Sequence, residues 1–355
     1  APPNHSPTAG EDGAAAAAAD LERGDWEAAL RGLANALSNN PFRPEWVALL
    51  ERTLEAGGGR ADEVLRASGE NWVGYRGMLA YAEHRRGAFA SAFDTLEDLT
   101  RDYRWNFFPE AWGFAWVTPE AARAAGAEAL EFLFTATERY PESMPEWFQQ
   151  QLGRAVEALE TVEAVLGADE RTTLLKGQML GKAGRFAEAV ALTEGTATAT
   201  PTFRTATAAA MAHKRAGAAE DAVRWFRRAA ELDPANGSSF LDIGDVYVEL
   251  ERWEDALDAY KKVLVGRWAD WAYPSAVYCV YRQTGDGDAL DELRAMANAV
   301  PHVCSEVDAL QAMVGGYTSE QRRDRAIQLM LEIEPEFVPL PLPDENDDGE
   351  EENEE

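Results

Sequence analysis

The sequence predicts an all-α chain, a solenoid of about nine antiparallel helical hairpins, and three observations predict it. Ala222, Phe226 and Ala229 stand 34 residues ahead of Ala256, Tyr260 and Val263, so one apolar pattern recurs in register. Glycine- or proline-marked turns punctuate stretches whose apolar residues fall at helical spacing, and no segment alternates as a strand does. The length of 355 residues then means repeated units around one continuous core rather than two globular domains.

Residues 1–13 carry Pro, Gly and polar residues without periodicity and read as a disordered lead-in, with the solenoid occupying 14–335. The alanines from Ala14 to Asp20 begin the first helix, because Ala has the highest helix propensity and lets a neighbouring helix come close. Gly24 and Asp25 turn the chain; Trp26, Ala29, Leu33 and Ala36 share a face of the second helix, and Pro41 stops it. Residues 45–68 form a degenerate pair, with Trp46, Leu49, Leu50 and Leu54 before the turn at Gly57–Gly59 and Ala61, Val64 and Leu65 after it. Tyr75, Met78, Leu79 and Ala80, then Gly87, then Ala92, Leu96 and Leu99 make a clearer hairpin.

Residues 103–148 depart from the pattern. They hold twelve of the 35 aromatic residues, among them Trp105, Trp112 and Trp116, yet Ala129, Leu133, Ala136 and Pro141 still close the region like the second helix of a repeat. Two readings stand: a thick core joining differently curved arrays, or an aromatic surface for a partner or small molecule. Three units in register follow, marked by Gly177, Gly184, Ala189 and Pro201; by Ala210, Gly217, Ala222 and Pro234; and by Gly244, Ala256 and Leu264. Less regular hairpins fill 272–300 and 304–334, and Arg322, Arg323, Asp324 and Arg325 suit the last one to a polar terminal cap. From 336 to 355 the chain is a Pro-rich linker and a disordered acidic tail, in which nine of the last twelve residues are Asp or Glu.

The unit running through Phe240, Ile243, Gly244 and Tyr247 to Ala256, Tyr260 and Leu264 resembles a tetratricopeptide repeat (TPR). The resemblance implies a right-handed superhelix in which Gly or Ala at position 8 of helix A and Ala at position 20 let the helices of a hairpin approach. It also implies that helix A positions 2, 5, 9, 12 and 13 line a concave face that holds a partner protein or peptide. Those positions give Arg204, Thr207, Met211, Lys214 and Arg215 in one unit, Arg171, Gln178 and Lys182 in the unit before it, and Ser238, Leu241, Asp245, Val248 and Glu249 in the next. A basic strip thus gives way to acid. The carboxylate clamp of chaperone-binding TPR domains is not reproduced, since Leu174, Gln178, Ala208, Ser238 and Asp242 occupy its positions.

Composition narrows the function classes. With 63 acidic and 33 basic residues the formal charge is −30, which repels nucleic-acid backbones and anionic lipid heads. Cys279 and Cys304 lie outside any metal-ligand spacing, and no zinc, P-loop, dinucleotide or nucleophile-elbow motif is present, so no cofactor, metal or catalytic residue is expected. His84 and His213 fall beside basic neighbours. The Ala-Pro-Pro-Asn-His-Ser-Pro start lacks the marks of an export leader, which points to the cytoplasm. The expectation is a non-enzymatic adaptor holding a protein or peptide in its groove; the alternative is a regulatory or immunity-type protein whose acidic tail competes for that groove. An enzyme or small-molecule binder built on the aromatic block is the third reading.

Overall fold

The computed structural model describes residues 7–40, 43–67, 73–102, 108–138, 146–264, 268–299 and 319–342. These residues form α-helices, one 3₁₀ turn and connecting loops, with no strand among them. The helices are α1 (Pro7–Glu22), α2 (Trp26–Asn39), α3 (Pro44–Gly57), α4 (Gly59–Ala67), α5 (Val73–Arg85), α6 (Phe89–Asp102), α7 (Phe108–Trp116), α8 (Pro119–Glu138) and α9 (Glu146–Leu166). There follow α10 (Glu170–Lys182), α11 (Phe186–Ala199), α12 (Phe203–Arg215), α13 (Ala219–Leu232), α14 (Ser238–Glu249), α15 (Trp253–Tyr260), α16 (Ala269–Thr284), α17 (Gly287–Asn298) and α18 (Glu320–Ile333). The chain is an all-α solenoid of TPR-like hairpins, and it divides into two compact units, Ala1–Leu192 and Thr193–Glu355. No described helix is long and apolar enough to cross a membrane.

Five hairpins turn in the same way. At Gly24, Gly87, Gly184, Gly217 and Glu251 the backbone adopts positive φ. The next residue's N–H reaches back five residues, as from Ala218 to the His213 carbonyl and from Arg252 to that of Tyr247. This is the Schellman closure, which satisfies carbonyls that a helix end leaves open and requires a left-handed residue. Glu251, at φ 55°, is the only non-glycine among the described residues to adopt positive φ, and it sits in the repeat that matches the pattern best.

In the first unit α1 begins at Pro7, inside the segment expected to be a disordered lead-in. Proline suits a first helical position, where its missing N–H is no loss. Packing explains the extension: a Cβ on Gly13 would lie 3.0 Å from the Gly32 carbonyl oxygen of α2, so two facing glycines bring these helices together. Leu30, Leu33, Leu37, Leu50, Met78, Phe93 and Phe132 are fully buried along this unit. The 21-residue helix α9 has no counterpart in the expected hairpins, although Leu152, Ala155, Val156, Leu159 and Val162 are buried at helical spacing. It ends at Gly167, which adopts φ 89°, but it carries no Ala-x3-aromatic signature by which a repeat could be read.

In the second unit Ala222, Phe226, Ala229, Ala256, Tyr260 and Val263 are all buried, most of them in one cluster with Ile243, Val246 and Cys279. A Cβ on Gly244 would come within 2.4 Å of the Tyr260 ring, so glycine at this place in α14 is what allows the tyrosine of α15 to seat against the helix backbone. Cys279 is buried, and burial pushes its thiol up to about 12; Cys304 lies outside the described residues. Ala326, Leu329 and Met330 of α18 pack into a second cluster with Val277 and Tyr278 of α16 and Leu293 of α17. The first half of the expected hairpin at 304–334 falls outside the described residues. Beyond Pro335 the chain does not leave the fold at once. Phe337 packs on this second cluster, Arg323 Nη2 donates to the Leu340 carbonyl at 2.9 Å, and the Leu340 N–H donates to Asn298 Oδ1 at 2.9 Å. The linker expected from residue 336 is therefore held as far as Leu340.

Candidate partner-binding face

Two of the helices that carry the expected groove residues, α10 and α12, are started by explicit caps. Thr202 precedes α12 and exchanges hydrogen bonds with Thr205, and Asp169 does the same with Thr172 before α10. Each capping box satisfies otherwise open N–H groups and fixes where the helix begins. Buried Ala206, Ala209, Ala210 and Ala212 on α12 then set the rotation that leaves Thr207, Met211 and Lys214 along another face.

The strip read from the sequence is divided between the two units, and each part has its own surroundings. In the first unit Arg171 is exposed yet engaged: Nη1 and Nη2 donate to the two carboxylate oxygens of Glu131 on α8 at 2.7 and 3.1 Å, and its guanidinium lies 3.6 Å from the centre of the Phe134 ring. These hydrogen bonds hold the Glu131 carboxyl below the usual range. Gln178 is exposed and Lys182 half-buried at the end of α10.

In the second unit Arg204, Thr207, Met211, Lys214 and Arg215 are all half-buried. Lys214 Nζ lies 3.0 Å from Glu249 Oε1, so α12 and α14 are bridged by a cation of the expected strip and an anion of the next helix. Asp245 is more deeply committed. Tyr260 donates its hydroxyl to Asp245 Oδ1 at 2.6 Å, and Arg325 of α18 reaches the same oxygen with Nη2 at 3.2 Å. Arg325 Nε also donates to Ser275 Oγ at 2.9 Å, and its guanidinium lies 4.8 Å from the centre of the Trp271 ring. One turn back, Asp242 is pushed up to about 6 by burial, reinforced by the neighbouring Asp245 charge and relieved by Lys214. A carboxyl in this state favours a donor or cation that would restore what water no longer supplies.

The aromatic surface is corrected. Trp112 and Trp116 are buried on α7, and Trp105 lies outside the described residues. Tyr81 and His84 of α5 pack against them: Tyr81 lies 5.2 Å from Trp112, and the His84 ring stacks on Trp116 at 4.6 Å with planes 16° apart. Burial lowers the His84 pKa. His213 is buried too, with Nε2 2.7 Å from Glu194, which also accepts a hydrogen bond from the Trp225 indole at 2.9 Å. Neither histidine joins a basic strip. Sequence reasoning assigns Arg325 only to a polar cap and does not single out Trp271 or Ser275; the signal available was the arginines of α18 interrupting an apolar spacing.

No family model matches the chain, and no curated protein matches it in sequence. Solved structures with similar helical arrangements include MamA from Desulfovibrio magneticus RS-1, at 17% identity over 58% of this chain and 94% of that one, with a TM-score of 0.33. A thermophilic TPR protein from Thermus thermophilus shares 15% identity over 67% of this chain and 99% of its own, with a TM-score of 0.31. A TPR protein from Parabacteroides merdae shares 14% over 77% and 99%, with a TM-score of 0.34. The fold is read from the chain's own hairpins, and these similarities add no argument about its activity.

Proposed function

We propose that this chain is a non-enzymatic adaptor whose second unit holds a segment of a partner protein along α12 and α14. The supporting observation is a reversal of charge from one helix to the other: α12 carries Arg204, Lys214 and Arg215, and α14 carries Asp242, Asp245 and Glu249. Lys214 and Glu249 mark their meeting. A partner segment suited to this face places acidic groups toward α12 and a basic or hydrogen-bond-donating group toward Asp242, whose ionised carboxyl is disfavoured by burial and by the Asp245 charge. Met211, Leu241 and Val248 supply the apolar floor between the two charge rows.

Arg204→Glu, Lys214→Glu and Arg215→Glu together reverse one row. Affinity purification from the native host with quantitative mass spectrometry should lose the partner recovered by the wild-type chain, with circular dichroism unchanged. Undiminished recovery removes this face from the account.

The anchoring of Leu340 favours a second reading, in which the acidic run 344–355 competes for the α12 cations, because that run departs from a fixed point on the same unit. Tethering raises the effective concentration of a weak ligand to the order of millimolar. Deleting 344–355 should then raise partner affinity at low salt, and an unchanged dissociation constant disposes of competition.

A further inference from the structure

The run Val338-Pro-Leu-Pro-Leu342 combines three properties that the helix A face does not use. Its backbone conformation is restricted by covalent geometry. Pro339 and Pro341 hold φ near about −65°, close to polyproline II and far from the roughly −120° to −140° of strands. Val338, Leu340 and Leu342 each precede a proline, which disfavours helical geometry for them as well. Its position is fixed, since the Leu340 N–H and carbonyl are both bound, to Asn298 and Arg323, and Phe337 is packed beneath. Its side chains are nevertheless open: Val338 is 81%, Leu340 60% and Leu342 49% exposed.

Backbone accounting decides how such a segment is read. A partner adding a β-strand needs alternate N–H and C=O groups, but the prolines have no N–H and Leu340 has already committed both of its groups. A helix-in-groove mode is closed by the prolines. What remains is recognition of polyproline II, in which aromatic-lined grooves take apolar-Pro dipeptides and gain from a ligand that needs little further ordering. At three residues per turn, Val338 shares a face with Pro341, and Pro339 with Leu342, so each face offers one aliphatic side chain and one proline ring.

We propose that residues 338–342 are a pre-ordered docking ligand for a polyproline-reading domain, one whose groove is lined by aromatic rings and flanked by basic residues. The basic flank follows from the nine carboxylates among the last twelve residues of the chain. This surface is separate from the α12/α14 face and its test uses different residues.

The test presents the full-length chain to a panel of purified SH3, WW and EVH1 domains and measures affinity by titration calorimetry. At least one domain class should bind with a dissociation constant on the order of ten micromolar, weakening about threefold or more as salt is raised. Pro339→Ala combined with Pro341→Ala should reduce that affinity about tenfold, and Leu340→Ala about fivefold, because the first releases the fixed backbone and the second removes a dipeptide side chain. Both variants should melt as the wild type does, since the bonds to Asn298 and Arg323 use only the Leu340 backbone. Absence of binding by every domain, or equal binding by the proline variant, overturns the proposal. So does a doubling of mass in sedimentation that the proline variant abolishes, which would make the occupant a second copy of the chain.

Discussion

The hairpins α7/α8 and α14/α15 close on the same contact and surround it with opposite chemistry. A Cβ on Gly113 would lie 2.3 Å from the Phe132 ring, as one on Gly244 would lie 2.4 Å from Tyr260. Phe132 ends among apolar neighbours, with Phe114 5.8 Å away by ring centres and Phe93 6.1 Å away. Tyr260 instead carries a hydroxyl through the packed layer to Asp245, and from there the polar network runs to Arg325, Ser275 and, along α14, Asp242. One oxygen on an otherwise equivalent ring thus separates a dry junction from a hairpin whose core is wired to its surface. The cluster beside α7 carries a different burden: His84 Nε2 is buried and has no hydrogen-bond partner among the described residues.

The largest test of this equivalence is to fill both glycines. Gly113→Ala and Gly244→Ala should each destabilise by about 3 kcal/mol, because the ring facing each is fully buried and has no free direction to move. Urea unfolding measures both; a harmless Gly113→Ala would show that the aromatic block is loosely packed and the comparison false.

Acid should then drive the two regions apart. Asp242 has its pKa raised from 3.8 to about 6, so the fold favours the protonated form, and its ionisation costs stability that grows from about pH 4 to pH 6 and stays constant above. Asp242→Asn should stabilise by about 2 kcal/mol at pH 8 and by almost nothing at pH 4, read from paired melts. His84 has the opposite sign. Its pKa is lowered from 6.5, so the fold favours the neutral ring, and stability is lost as pH falls through 6.5. The His84→Phe variant should lose less stability than the wild type between pH 7 and 5.

The smallest effect lies at the turn. Glu251→Gly should stabilise by about 0.5–1 kcal/mol, the left-handed penalty less the entropy of glycine. A neutral result in thermal unfolding would mean that the Glu251 side chain compensates for its backbone.

The α12–α15 stretch was legible because its packing is local. Ala222 with Phe226 and Gly244 with Tyr260 lie within one repeat, and a 34-residue spacing records them directly. The aromatic block showed its density but not its direction, since burial of Trp112 and Trp116 depends on Tyr81 and His84, placed on a preceding helix by packing. The start of α1 is not legible because residues 7–13 carry Pro, Gly and polar residues without periodicity, and the facing of Gly13 and Gly32 appears only in the fold. At the candidate face, the expectation for Arg204, Lys214 and Asp245 rests on position alone, whereas Arg325, 80 residues from Asp245, carries no local mark of its destination.

That same bond changes how the end of the array comes apart. A solenoid whose units touch only their neighbours behaves as a one-dimensional chain and frays from its free terminus one element at a time. Arg325, 80 residues beyond Asp245 in sequence, ties α18 to α14 while leaning on Ser275 and Trp271 of α16. Helix α18 cannot peel away alone, because loosening it unpicks three elements together, as a rope end bound with twine holds its strands.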